Sequence, residues 1–268
     1  MPTLPPVTRA VILTWIGLWV LAFLADLGGL DLAGGLTLRP AALLAGDFGA
    51  LPGLVTHALV HQGLLHLFFN VLLFAGFAPE VERLFGPRRF LRFLLAAALF
   101  GAVVSVLFAL LLGGAFRYPV LGGSGLVMAA LAVQAVVYPF RLLSFFGLLT
   151  FRMRTFVLVL VGVDALFLLS DLAGRPDGVA NHVHLAGALW GWLAVSPRAA
   201  RLRDRLRLPR ALDVPAAWQR RRARKRADEE RELDRILGKI SREGLQGLTP
   251  GERRFLERRS KRKEGSGR

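Results

Sequence analysis

Six apolar stretches, sized to cross a bilayer or to line the interior of a bundle within it and separated by charged or glycine-rich connections, set the terms on which this chain folds. They run about 10–28, 58–78, 91–113, 124–139, 154–171 and 183–196. A bilayer core takes ~20 apolar residues per helix, and helices lining a protein interior are shorter. With 54% hydrophobic residues, 29 glycines and a mean hydropathy of +0.48, the 268 residues are too apolar for a water-soluble domain. The expected class is therefore an all-α, multi-pass membrane protein with six transmembrane helices. No small-residue cleavage site follows the first apolar stretch closely, so that stretch is expected to stay as an anchor.

The net charge of +16 suggests nucleic acid until it is located. Residues 198–268 hold 24 of the 35 Lys and Arg and 11 of the 19 acidic residues, which leaves +13 in the tail and +3 elsewhere. Within the apolar part the charges also sort by side. Arg9, Arg83, Arg88, Arg89, Arg92, Arg141, Arg152, Arg154 and the tail share one face, whereas Arg39, Arg117 and Arg175 share the other. The positive-inside bias then puts both termini in the cytoplasm and residues 29–57, 114–123 and 172–182 outside. The 29–57 connection is itself apolar (Leu36, Leu43, Leu51) and is expected to lie in the outer interface. Cysteine is absent, so no disulfide framework or thiolate site exists.

This topology brings two reactive side chains to similar depth. Ser124, in Gly122-Gly123-Ser124-Gly125, opens the fourth stretch, and His184 opens the sixth. A serine hydroxyl is a poor nucleophile at neutral pH and needs a base within hydrogen-bond reach, which His184 would supply. Glycines beside the serine let a substrate chain approach, and a helix N-terminus offers free N–H groups to a developing oxyanion. Taken alone, Gly-Gly-Ser-Gly equally describes close helix packing. The second stretch adds His66 and Asn70, four residues apart and so on one helix face, and both donate hydrogen bonds without ionising. A metal site from His57, His61 and His66 ranks lower, because no carboxylate or cysteine accompanies them. His57 and His61 read as interfacial residues, His182 as a loop or interface residue, and Asp171 and Asp177 as solvated loop charges. Asp164, inside the fifth stretch, reads as structural.

Three separated pieces, His61 with His66 and Asn70, Gly122-x-Ser124-Gly125, and His184-x-x-Gly187 with Gly191, together resemble the rhomboid family of intramembrane serine proteases. The likeness spans roughly residues 50–196 and includes Glu82-Arg83-Leu84-Phe85-Gly86 after the second stretch. It implies a rhomboid-like six-helix bundle in the bacterial inner membrane, with Ser124 as nucleophile and His184 as base of a two-residue dyad lacking a carboxylate. His66, Asn70 and the backbone at Gly123 and Ser124 would form the oxyanion hole. Gly122, Gly125, Gly187 and Gly191 would permit close helix packing at the site, with Met128 where many members carry an aromatic residue against the histidine. Pro52-Gly53-Leu54-Val55 stands where many members carry a Trp-Arg pair. The implied substrates are transmembrane segments of other proteins, cut near the outer leaflet, and no metal or cofactor is implied. The alternatives are a catalytically inactive, client-binding relative and a polytopic carrier or metal-dependent membrane enzyme.

The organisation expected is a transmembrane domain over 1–197, a basic juxtamembrane linker over 198–227 and a cytoplasmic helical hairpin over 228–268. The linker, with Arg220-Arg221-Arg222-Ala223-Arg224-Lys225-Arg226, points to anionic lipid headgroups and away from nucleic acid. Leu233, Ile236, Leu237 and Ile240 fall at helical spacing, and Thr249-Pro250-Gly251-Glu252 reads as a capping box opening a second short helix. The hairpin resembles a C-terminal extension of some bacterial rhomboid-type proteins, and its partner is not specified by the sequence.

Overall fold

A computed structural model describes residues 4–145, 149–196, 228, 231–240 and 245–256 of the chain. The basic stretch 198–227, on which the lipid-binding expectation and the linker boundary rest, lies outside the described residues. The chain divides into two compact units, Met1–Val214 and Pro215–Arg268.

The first unit is a helical membrane bundle. Its elements are α1 (Pro6–Leu27), two short helices α2 (Pro40–Leu44) and α3 (Gly53–Thr56), then α4 (Leu64–Phe85), α5 (Pro87–Leu112), α6 (Ser124–Val137), α7 (Met153–Leu172) and α8 (Asn181–Val195). Four of these, α1, α4, α5 and α7, are long and apolar enough to cross a membrane. Their outward faces carry exposed Leu13, Leu24, Leu107, Leu111, Leu158 and Leu166, a surface suited to lipid and not to water. By contrast α6 has 14 residues and α8 has 15. At about 1.5 Å per residue neither spans a ~30 Å core alone. They lie within the bundle instead, and Leu126 through Gln134 of α6 are all buried.

Small residues bring α6 and α8 together. A Cβ at Gly187 would stand 2.1 Å from the Gly125 carbonyl oxygen, and one at Gly191 would stand 2.2 Å from that of Ala129. Backbones this close leave no room for any side chain.

The fourth stretch begins as a helix at Ser124, but the second differs from expectation. Residues 57–63 form a 3₁₀ turn and an irregular link, and α4 starts only after Gly63, whose φ of +80° a side chain would strain. Apolar content alone extended the helix too far toward its N-terminus. Between α6 and α7 the chain forms an antiparallel pair, β1 (Leu142–Phe145) and β2 (Leu149–Arg152), a local departure from the all-α pattern.

Two long-range ties shape the opposite ends. On the side where α6 and α8 begin, Leu38 and Val120 exchange backbone hydrogen bonds of 2.9 and 2.8 Å and pack with Ala102 and Val183. The apolar 29–57 connection is thus partly anchored into the core, while its Phe48 and Leu51 stay exposed. On the other side Glu82, only 1% exposed, accepts from Val7 N–H (2.9 Å), Thr8 N–H (2.7 Å) and the Thr8 hydroxyl (2.7 Å). Its carboxylate thereby satisfies the orphan donors at the start of α1. Glu82→Ala is expected to destabilise the bundle by about 2 kcal/mol, since a buried hydrogen bond to a charged group contributes on that order. A detergent-solubilised thermal melt against the native chain measures it.

In the second unit, residues 231–240 and 250–256 are helical. Thr249 N–H donates to Glu252 Oε2 (2.8 Å) and Glu252 N–H to Thr249 Oγ1 (3.3 Å), the reciprocal pair of a capping box. Those contacts, with Arg235 and Lys239 pairing to the same carboxylate, hold the Glu252 carboxyl down to about 2. Ile236 and Leu248 are buried within this unit.

Candidate active site

The site assembles where α6 and α8 begin, against the middle of α7. Ser124 is the first residue of α6, so its N–H lies beyond the reach of the helix's own carbonyls. His184 is in the first turn of α8. Its Nε2 lies 2.7 Å from Ser124 Oγ, a hydrogen bond between residues sixty apart in sequence. Its Nδ1 lies 2.9 Å from Asp164 Oδ1 of α7. A carboxylate thus contacts the histidine, where the resemblance implied a pair with no carboxylate beside it.

Helix α4 carries the other two polar residues singled out, His66 and Asn70. Asn70 of α4 is buried, and its Nδ2 donates to the His66 carbonyl at 3.0 Å, which fixes the carboxamide. That nitrogen carries a second hydrogen for another acceptor. Gly122, with φ of +120°, explains how His66 comes so near Ser124. A Cβ there would fall 2.7 Å from His66 Cε1, 2.8 Å from His66 Nε2 and 3.7 Å from Ser124 Oγ, so the imidazole occupies the place of the absent side chain. A cavity of about 580 Å³ has His66, Asn70, Ser124, His182, His184 and Asp171 in its wall.

Several residues sit differently from expectation. Gly123 N–H, expected to face an oxyanion, donates to His61 Nε2 at 3.1 Å and so already has a partner within the protein. At that turn Ser124 N–H and Gly125 N–H both lie ahead of the helix's own carbonyls. Met128 is buried in α6 one turn beyond Ser124. His57 and His61 are 2% and 6% exposed, not interfacial: His57 Nδ1 contacts the Gly53 carbonyl at 2.9 Å, and His61 serves Gly123. Those nitrogens are therefore engaged with backbone. Among the described residues no three His, Asp or Glu side chains are grouped to hold a metal ion. His182 is buried, 3.1 Å from the Ser105 hydroxyl and stacked on Phe108. Asp171, 7% exposed, is no solvated charge: Asn181 Nδ2 reaches it at 3.3 Å.

Sequence reasoning missed the support from α1. Trp15 is fully buried, donates from Nε1 to the Ala58 carbonyl at 2.9 Å, and meets His61 edge-on at 5.0 Å. Its ring lies 2.2 Å from where a Gly123 Cβ would stand, which accounts for glycine at that position. Trp15 and His61 thus hold the turn that presents Ser124.

His61 also confers a pH response. Burial pushes its pKa from 6.5 to about 3, so the folded chain keeps it neutral and able to accept from Gly123 N–H. The unfolded chain takes up a proton near 6.5, and therefore binds more protons than the native one between these values. Stability should be fully present above pH ~6.5 and decline as pH falls toward ~3. Melting temperatures between pH 7.5 and 4 should show this loss, and His61→Gln should lessen it without abolishing it, because burial lowers the pKa of His57 in the same direction.

These features define a multi-pass helical membrane protein whose short central helices carry a serine and a histidine to a shared cavity. Residues 49–200 match the model of the Rhomboid domain, more than half of the chain, and the protein belongs to the rhomboid family. Residues 220–262 match a second model, a Family of unknown function (DUF6576). The chain is 28% identical over 157 residues to the Rhomboid protease GluP of Bacillus subtilis (strain 168), covering 57% of this chain and 28% of that protein. It thus spans less than a third of the length of that curated relative.

Proposed function

We propose that the chain is an active intramembrane serine endopeptidase that cleaves transmembrane segments of client proteins. The observation that carries the reading is the 2.7 Å contact between Ser124 Oγ and His184 Nε2 beside a cavity. Membership of a family that includes a named protease agrees with it.

In the reaction that fits this geometry, a client carbonyl enters beside Ser124 and His184 Nε2 removes the hydroxyl proton as Oγ attacks the carbonyl carbon. The oxyanion meets the free Asn70 N–H, the His66 ring and Ser124 N–H. His184 then returns the proton to the leaving nitrogen as the C–N bond breaks. A water from the cavity hydrolyses the acyl-enzyme with the same base. A client segment must unwind to expose its carbonyl, so segments with Gly or other weak helix formers are the favoured substrates. The positive-inside distribution supports termini in the cytoplasm and a site opening toward the opposite face.

Labelling with a serine-directed fluorophosphonate tests the assignment. The native chain should take up the probe at Ser124, and Ser124→Ala should take up none. An unlabelled native chain, or equal labelling of the variant, contradicts the reading.

A further inference from the structure

We propose that Asp164 is a positioning residue for the Ser124–His184 pair, holding the His184 ring by its Nδ1–H so that Nε2 is the nitrogen free to take the serine proton. The inference rests on the protease reading above and adds to it a third group.

Helix α7 is apolar nearly all round, and a carboxyl inside such a helix is costly without a partner. The structure supplies one. Val161, Asp164, Ala165 and Leu168 are partly buried, whereas Gly162, Val163, Leu166 and Phe167 are exposed, so Asp164 lies on the stripe facing the bundle. Its Oδ1 stands 2.9 Å from His184 Nδ1, with the two side chains 14% and 18% exposed. A carboxylate only accepts hydrogen bonds, so in the proposed arrangement Nδ1 carries the proton. Neutral imidazole has a single N–H, which leaves the Nε2 lone pair directed at Ser124 Oγ 2.7 Å away. The chain of bonds is therefore directional: serine O–H to Nε2, then Nδ1–H to carboxylate. When His184 accepts the serine proton, its positive charge forms beside a negative one.

A tie that merely joined α7 to α8 would need a hydrogen bond but not a charge, and Asp164→Asn separates the two roles. The carboxamide has the same size and still bonds Nδ1, yet it removes the charge and offers an N–H that favours the wrong tautomer. Cleavage by Asp164→Asn is expected to lose at least about 100-fold in kcat with KM changed less than about threefold, given that such losses reach ~10⁴ in serine-histidine-aspartate enzymes. Asp164→Glu, which restores the carboxylate, should recover at least about tenfold over the asparagine variant, as expected of an effect carried by charge. In the native protein the bridging proton should give a far-downfield NMR resonance that disappears in His184→Gln.

Native chain that neither labels at Ser124 nor cleaves would overturn the protease reading itself. If the native chain does both and a folded Asp164→Asn keeps its kcat within about threefold, the positioning role is refuted. Should that variant fail to fold, the downfield resonance decides: its presence in labelling-competent native protein supports the role, and its absence overturns it.

Discussion

On the protease reading proposed above, Ser124→Ala is expected to lower cleavage of a membrane-embedded reporter by on the order of 10⁴-fold or more, because removal of the proposed nucleophile leaves only binding and oxyanion stabilisation. The loss should be chemical and not structural. Ser124 is half-buried at the start of α6, and the change removes one hydroxyl whose hydrogen bond is to His184. Its stability effect should stay within about 1 kcal/mol. A client-binding relative without protease activity would instead retain its phenotype with alanine. Reporter cleavage in reconstituted vesicles, measured beside the thermal melt of the same sample, separates these outcomes.

The second large effect is Gly187→Val. The residue sits at the α6–α8 crossing, where even a Cβ would lie 2.1 Å from Gly125 O, a backbone atom that cannot swing aside. Valine must therefore part the two helices, at a cost of roughly 3 kcal/mol or more, the upper range for overpacking. Because Ser124 is on one helix and His184 on the other, the same separation breaks their 2.7 Å contact. Both folding and fluorophosphonate labelling should be lost. Gly162→Ala on α7, where a Cβ meets nothing within 4 Å, should leave the melt unchanged or slightly raised, since alanine favours helix over glycine. Equal melts for both variants would show that close approach at Gly187 contributes little.

Much of this was legible because it is written in local chemistry. Long apolar runs announced the membrane helices, and α6 opens at Ser124 directly after glycines that bend the chain into it. The capping box at Thr249 and Glu252 needs only residues three apart. Helix boundaries blurred where composition gave no break: residues 58–63 run into α4 with neither a proline nor an acidic or basic charge between, and the positive φ of Gly63 is what separates them. The buried histidines were harder. Imidazole is amphipathic, so sequence could not tell an interfacial His61 from one holding the backbone of Gly123. Asp164 was illegible for a related reason. A helix apolar on every side gives no stripe from which to tell which way one carboxyl points.

By itself, the order of residues determined that this chain folds as helices in lipid, which connections carry positive charge, and which few polar groups lie among apolar ones. Those properties arise from hydrophobic length and from the penalty on unpaired polar groups, both of which act along the chain. Only the tertiary structure decided that His184 contacts both Ser124 and Asp164, that Trp15 and His61 brace the serine turn, and that Gly123 is already engaged. Hydrogen bonds reach about 3 Å, and which distant residues come within that reach depends on how closely the backbones of α6 and α8 can approach.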